Sequence, residues 1–89
     1  MPQDKNSKLP AIAGLALAGT GVAHFVSPQL FDGITKPVFP RDTARHIQTN
    51  GAIETALGLG LLVPKARRLA VLGSLGYVAY LAGNAIRNR

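Results

Sequence analysis

The sequence predicts an all-α membrane protein of three transmembrane helices in a compact bundle, with an interfacial loop or short helix between the first two. The spacing of the charges predicts it first. No Asp, Glu, Lys or Arg occurs from Leu9 to Phe31 or from Leu69 to Ile86, and Glu54 alone interrupts Ile47 to Pro64. A helix needs about 20 apolar residues, with a range of about 17–25, to cross a bilayer core. The second observation is the abundance of Gly and Ala inside these gaps. Helices that associate in lipid approach through small residues, because lipid tails are as apolar as Leu and packing supplies the attraction.

The first span is read as residues 9–26. A soluble amphipathic helix would show a polar face, whereas Ala11 to Ala23 offers only Thr20. The alternative of a signal peptide is raised by Lys5 and Lys8 ahead of an apolar run ending Gly21-Val22-Ala23. Ser27-Pro28 closes the span. The stretch from Gln29 to Thr43 then mixes Phe31, Ile34, Val38 and Phe39 with Asp32, Lys36, Pro37, Pro40 and Arg41. That mixture suits a segment lying in the headgroup zone.

The second span is read as 45–63, with Asp42 or Thr43 expected to cap its free N–H groups and Pro64 ending it. Lys65-Ala66-Arg67-Arg68 forms a tight cationic hairpin, and the third span follows as 69–86. Small-residue ladders are expected at Gly14 and Ala18, at Ala52, Ala56 and Gly60, and at Gly76, Ala79 and Gly83. The whole chain, 1–89, reads as one transmembrane domain.

Composition agrees. Charged residues make up 16% of the 89 positions, against about 25% in ordinary soluble domains. A 47% hydrophobic content excludes disorder. The absence of cysteine excludes a disulfide scaffold and leaves the redox compartment open. A net charge of +6 would fit nucleic acid, but the basic residues flank spans, where Lys65, Arg67 and Arg68 meet anionic headgroups. The lipid bilayer is therefore an expected partner and nucleic acid is not. Lys5, Lys8, Lys65, Arg67 and Arg68 balance Lys36, Arg41, Arg45, Arg87 and Arg89 across the membrane. The concentrated hairpin resists translocation, so the N-terminus is expected to be cytoplasmic.

Polar residues inside the spans form the candidate site. His46, Asn50 and Glu54 fall four apart on the second span, Thr20 and His24 do so on the first, and Tyr77, Tyr80 and Asn84 share a face on the third. At 1.5 Å per residue, Thr20, Glu54 and Tyr80 lie roughly 15–18 Å deep and His24, Asn50 and Asn84 roughly 21–24 Å deep. One intramembrane cluster of Thr20, His24, Asn50, Glu54, Tyr80 and Asn84 is expected. Glu54 is its centre, since an acid at mid-span costs on the order of 3 kcal/mol on insertion scales and is by default a functional-site hypothesis. It reads either as polar glue fixing helix register with Thr20 and Tyr80, or as a proton- or quinone-handling carboxyl beside His24. His46 at headgroup level and Tyr77 in an aromatic belt need no special role. There is no ligand cluster of the kind a structural metal uses, and neither metal nor cofactor is expected.

Taken together, Gly21-Val22-Ala23-His24-Phe25 with Pro28 and Phe31-Asp32, then Gly51-Ala52-Ile53-Glu54, then Leu57-Gly58-Leu59-Gly60-Leu61-Leu62 with Pro64 and Arg67-Arg68-Leu69-Ala70, form a pattern. It resembles the DoxX-like family of small bacterial membrane proteins over roughly Ile12 to Asn84, as aligned on the span pattern. Members of that family usually have four helices, and three are read here. The resemblance implies an accessory role, since the family takes its name from a subunit of a thiosulfate/quinol oxidoreductase and relatives are linked with redox and oxidative-stress complexes. The expected function is thus a non-enzymatic accessory or scaffold subunit of a larger complex, or a homo-oligomer, in a bacterial inner membrane. The alternatives are a quinone- or proton-handling subunit using Glu54 and His24, or a small-solute- or lipid-binding membrane protein. A pocket reaching Glu54 would favour these alternatives, and a dry, packed cluster would favour the scaffold.

Overall fold

Proline and helix-end chemistry divide the chain into four helices: α1 (Pro2–Val26), α2 (Gln29–Thr35), α3 (Thr43–Leu62) and α4 (Arg67–Arg87). The computed structural model describes the backbone of residues 2–89 and the side chains from Lys8 onward. Lys5, counted in the charge balance, lies outside the described side chains. Every regular element among the described residues is helical.

Two helical stretches, Lys8–Val26 and Arg67–Arg87, are long and apolar enough to cross a membrane by length and composition. The α3 helix has the length but is not one of them. Its first two turns carry Arg45, His46, Gln48, Thr49 and Asn50, which lower its hydropathy even though its second half is apolar.

The tightest packing joins α1 and α3, which run antiparallel. Gly14 lies against Gly58 and Leu61, whereas Gly21 lies against Gly51 and Thr55. A Cβ built on Gly58 would sit 2.3 Å from the Ala18 nitrogen, and one on Gly21 would sit 2.4 Å from the Thr55 nitrogen. Only glycine permits such backbone contact. The Gly14–Ala18 pair therefore lies in the seam, as the sequence suggests.

The ladder expected at Ala52, Ala56 and Gly60 does not form that seam. Ala52 and Ala56 are exposed, and Gly60 meets Ala70 of α4. The inward stripe of α3 is instead Ile47, Asn50, Gly51, Glu54, Gly58 and Leu61, because burying Asn50 and Glu54 rotates the alanines outward. Gly76 and Gly83 on α4 face open space.

Burial departs from that of a soluble domain, although Phe39, Ile47, Leu61 and Tyr77 are buried. His24, Thr35, Asn50 and Glu54 are buried, while Leu9, Ile12, Leu15, Val26, Leu69, Leu72, Leu75, Val78 and Ile86 are all exposed. Water-facing proteins bury the second class and expose the first.

The connections have local causes. Asp42 stands at the N-cap position of α3 but makes no side-chain cap, since its backbone is left-handed (φ 54°, ψ 42°) and a capping residue needs extended backbone. Thr43 does not cap either, because its hydroxyl donates to the Phe39 carbonyl at 2.7 Å. At the opposite end Arg67 Nε donates to the Leu61 carbonyl at 2.7 Å. That bond satisfies one of the carbonyls left free where a helix stops.

Candidate functional site

Glu54 sits in the middle of α3 and is reached from both neighbouring helices. The Tyr77 hydroxyl on α4 donates a hydrogen bond to Glu54 Oε2. From α1, His24 Nε2 lies 3.7 Å from the same oxygen, beyond hydrogen-bonding distance but within reach of an ion pair if the ring is protonated. The tautomer follows from the other ring nitrogen. His24 Nδ1 lies 2.7 Å from the Thr20 carbonyl, which can only accept, so Nδ1 carries a proton. In the neutral ring, Nε2 is then an acceptor facing Glu54.

The α2 helix folds over this group. Phe31 stacks on the His24 ring with centroids 3.7 Å apart and planes at 18°, which covers one face of the imidazole. Thr35 is buried at the end of α2. One turn before Glu54, Asn50 is 4% exposed, and its Oδ1 has no hydrogen-bond partner. Buried polar atoms are normally satisfied, so this oxygen calls for an explanation. Asn50, Glu54, His24, Thr35 and Tyr77 all line one cavity of about 180 Å³, whose remaining wall includes Phe31, Ile34, Val38, Phe39 and Leu81.

Of the expected cluster, His24, Asn50 and Glu54 come together. Thr20 also lines the cavity, but its exposed hydroxyl donates to the Ala16 carbonyl at 2.7 Å and does not reach Glu54. Tyr80 does not reach it either. It is 37% exposed and packs on Phe39 with ring centroids 5.3 Å apart, while Tyr77 takes the place expected of it. Residues three apart on a helix point about 60° apart, so the rotation of α4 decides between the two tyrosines. Ala70 and Tyr77, seven apart and both buried, mark the inward face, which the sequence alone does not distinguish from the face of Tyr80. Phe31 and Thr35 left no signal either.

Asn84 lies elsewhere. Its amide donates to the Tyr80 carbonyl at 2.8 Å, and it lines a second, smaller pocket with Phe39, Arg41, His46, Arg87 and Asn88. There His46 stacks on Phe39 with centroids 4.3 Å apart. Lys65 and Arg68 are exposed at the α3–α4 turn, and Arg67 is half-buried. Among the described residues no group of three His, Cys, Asp or Glu side chains could hold a metal ion.

A family model described as a domain of unknown function (DUF8561) matches residues 13–87, a stretch that takes in every residue lining the cavity. No curated protein and no solved structure matches the chain. Nothing in these comparisons links it to the DoxX-like proteins.

Proposed function

Because the chain belongs to the DUF8561 family, whose match runs through all four helices, we propose one function for the whole unit: an integral membrane protein that binds a small molecule in the cavity beneath α2. The exposure of many large apolar side chains around buried His24, Asn50 and Glu54 supports the membrane reading. Two helices have the length and hydropathy to cross. The α3 helix lies antiparallel to α1 and is joined to α4 by a short turn, so a chain crossing with both α1 and α4 returns through α3. Its polar first turns then fall in the headgroup zone beside α2 and Arg41. The proposed setting is a bacterial inner membrane, with the N-terminus cytoplasmic.

The observation that carries the binding reading is a cavity of about 180 Å³ that reaches Glu54 and is lined by the buried Asn50, whose Oδ1 has no hydrogen-bond partner. Polar glue between helices would leave these groups satisfied and dry. The chain contains no cysteine, so a single Asn50→Cys variant reports access directly. In membrane vesicles a small maleimide should modify it, as it should modify Lys65→Cys in the exposed turn. A cysteine at 50 that stays unreactive while the one at 65 labels would refute an open cavity.

A second reading, an accessory subunit of a larger complex or a homo-oligomer, is favoured by the uncovered Gly76, Ala79 and Gly83 face of α4. The two readings are compatible, since that face lies apart from the cavity.

A further inference from the structure

The hydrogen-bonding inventory of the cavity narrows its ligand. Tyr77 spends its hydroxyl on Glu54, Thr20 spends its own on Ala16, and His24 spends the Nδ1 proton on Thr20. Three acceptors remain without a hydrogen bond among the described residues: Glu54 Oε1, Asn50 Oδ1 and, in the neutral ring, His24 Nε2. Against them stand only the Asn50 amide N–H groups and the Thr35 hydroxyl. The wall holds one carboxyl and neither Lys nor Arg.

A quinone presents only acceptors: it could use the Asn50 amide N–H groups and the Thr35 hydroxyl, but it would leave Glu54 Oε1 and His24 Nε2 without a donor. We infer that the cavity takes a small protonated alkyl amine. This inference rests on the binding reading above and names its ligand class. An ammonium group offers three N–H donors to a lining in which acceptors lack a hydrogen bond, and a cation is favoured beside a carboxyl where neither Lys nor Arg is present. The rings of Phe31, Phe39 and Tyr77 line the same space and attract a cation through their faces. Ile34, Val38 and Leu81 leave an apolar wall for a short hydrocarbon chain. The volume of about 180 Å³ accommodates a chain of a few carbons.

The test is calorimetric titration of the purified full chain in detergent micelles, with empty micelles subtracted. The probes are n-butylammonium, n-butanol and duroquinone. Butylammonium should saturate and bind at least tenfold more tightly than either neutral probe. It should bind at least tenfold more weakly to Glu54→Gln, a variant that keeps an acceptor for Tyr77 and so keeps the fold. Comparing the three probes on the native chain needs no variant to fold. Butanol binding as tightly as butylammonium, duroquinone binding more tightly, or folded Glu54→Gln binding butylammonium undiminished would overturn the amine inference while leaving a ligand cavity in place. If no probe binds, the amine inference fails, and if Asn50→Cys also resists labelling the binding reading fails with it.

Discussion

Replacing Gly58 with alanine tests the packing on which the site depends. The new Cβ would stand 2.3 Å from the Ala18 nitrogen, 2.6 Å from the Gly14 oxygen and 2.7 Å from the Ala18 Cα. Ordinary contact begins at 3.4 Å, and all three atoms are backbone, so no side chain can swing aside. The α1 helix must therefore withdraw from α3 by roughly 1 Å. A gap of about 0.5–1 Å already forfeits a quarter to a half of the dispersion attraction along the seam. In lipid no hydrophobic term compensates, because packing is the main attraction. Overpacking of this kind costs about 1–3 kcal/mol, and the rigidity of the obstacle places the expectation at about 2–3 kcal/mol. Gly76→Ala is the control, since nothing lies within 4 Å of its Cβ and the gain in helix propensity, about 0.8–1 kcal/mol, should leave the protein as stable or more so. Reversible unfolding in mixed micelles with rising dodecyl sulfate measures both. The Gly58 variant should also bind butylammonium less well, because His24 moves away from Glu54 with α1. Equal unfolding midpoints for Gly58→Ala and the native chain would refute the reasoning.

Other expectations follow from the same contacts. Glu54→Leu strands the Tyr77 hydroxyl and should destabilise by on the order of 1–2 kcal/mol, whereas Glu54→Gln should be nearly neutral; matching unfolding curves for the two would show that the bond contributes nothing. A phosphatase reporter fused after Arg89 should be active and one fused after Arg67 silent, and the reverse pattern would invert the proposed orientation. Gly76→Leu or Gly83→Leu should disperse any assembly seen in native gels if the open face of α4 mates with another subunit; unchanged migration would mean that the face meets only lipid.

The charge-free stretches, their lengths and the prolines between them belong to local sequence, so the helical class and the positions of the breaks could be read directly. Glu54, His24 and Asn50 could be singled out for the same reason: polar groups in apolar runs stand out whatever the fold. Which face of each helix turns inward is a different kind of information. Ala52, Ala56 and Gly60 are spaced as well for packing as Gly51 and Gly58, and only the joint burial of Asn50 and Glu54 against α1 chooses between them. Tyr77 and Tyr80 differ by about 60° of helix rotation, which is set by how α4 leans on α3. Asp42 looks like a cap until the turn after Phe39 forces it into left-handed backbone. The cavity takes α2 as one of its walls, with Phe31 laid on His24. That contact spans only seven residues across the Ser27-Pro28 break, but Asn50 and Glu54 of α3 and Tyr77 and Leu81 of α4 form the other walls, so the tertiary structure alone decides that the polar cluster surrounds a space.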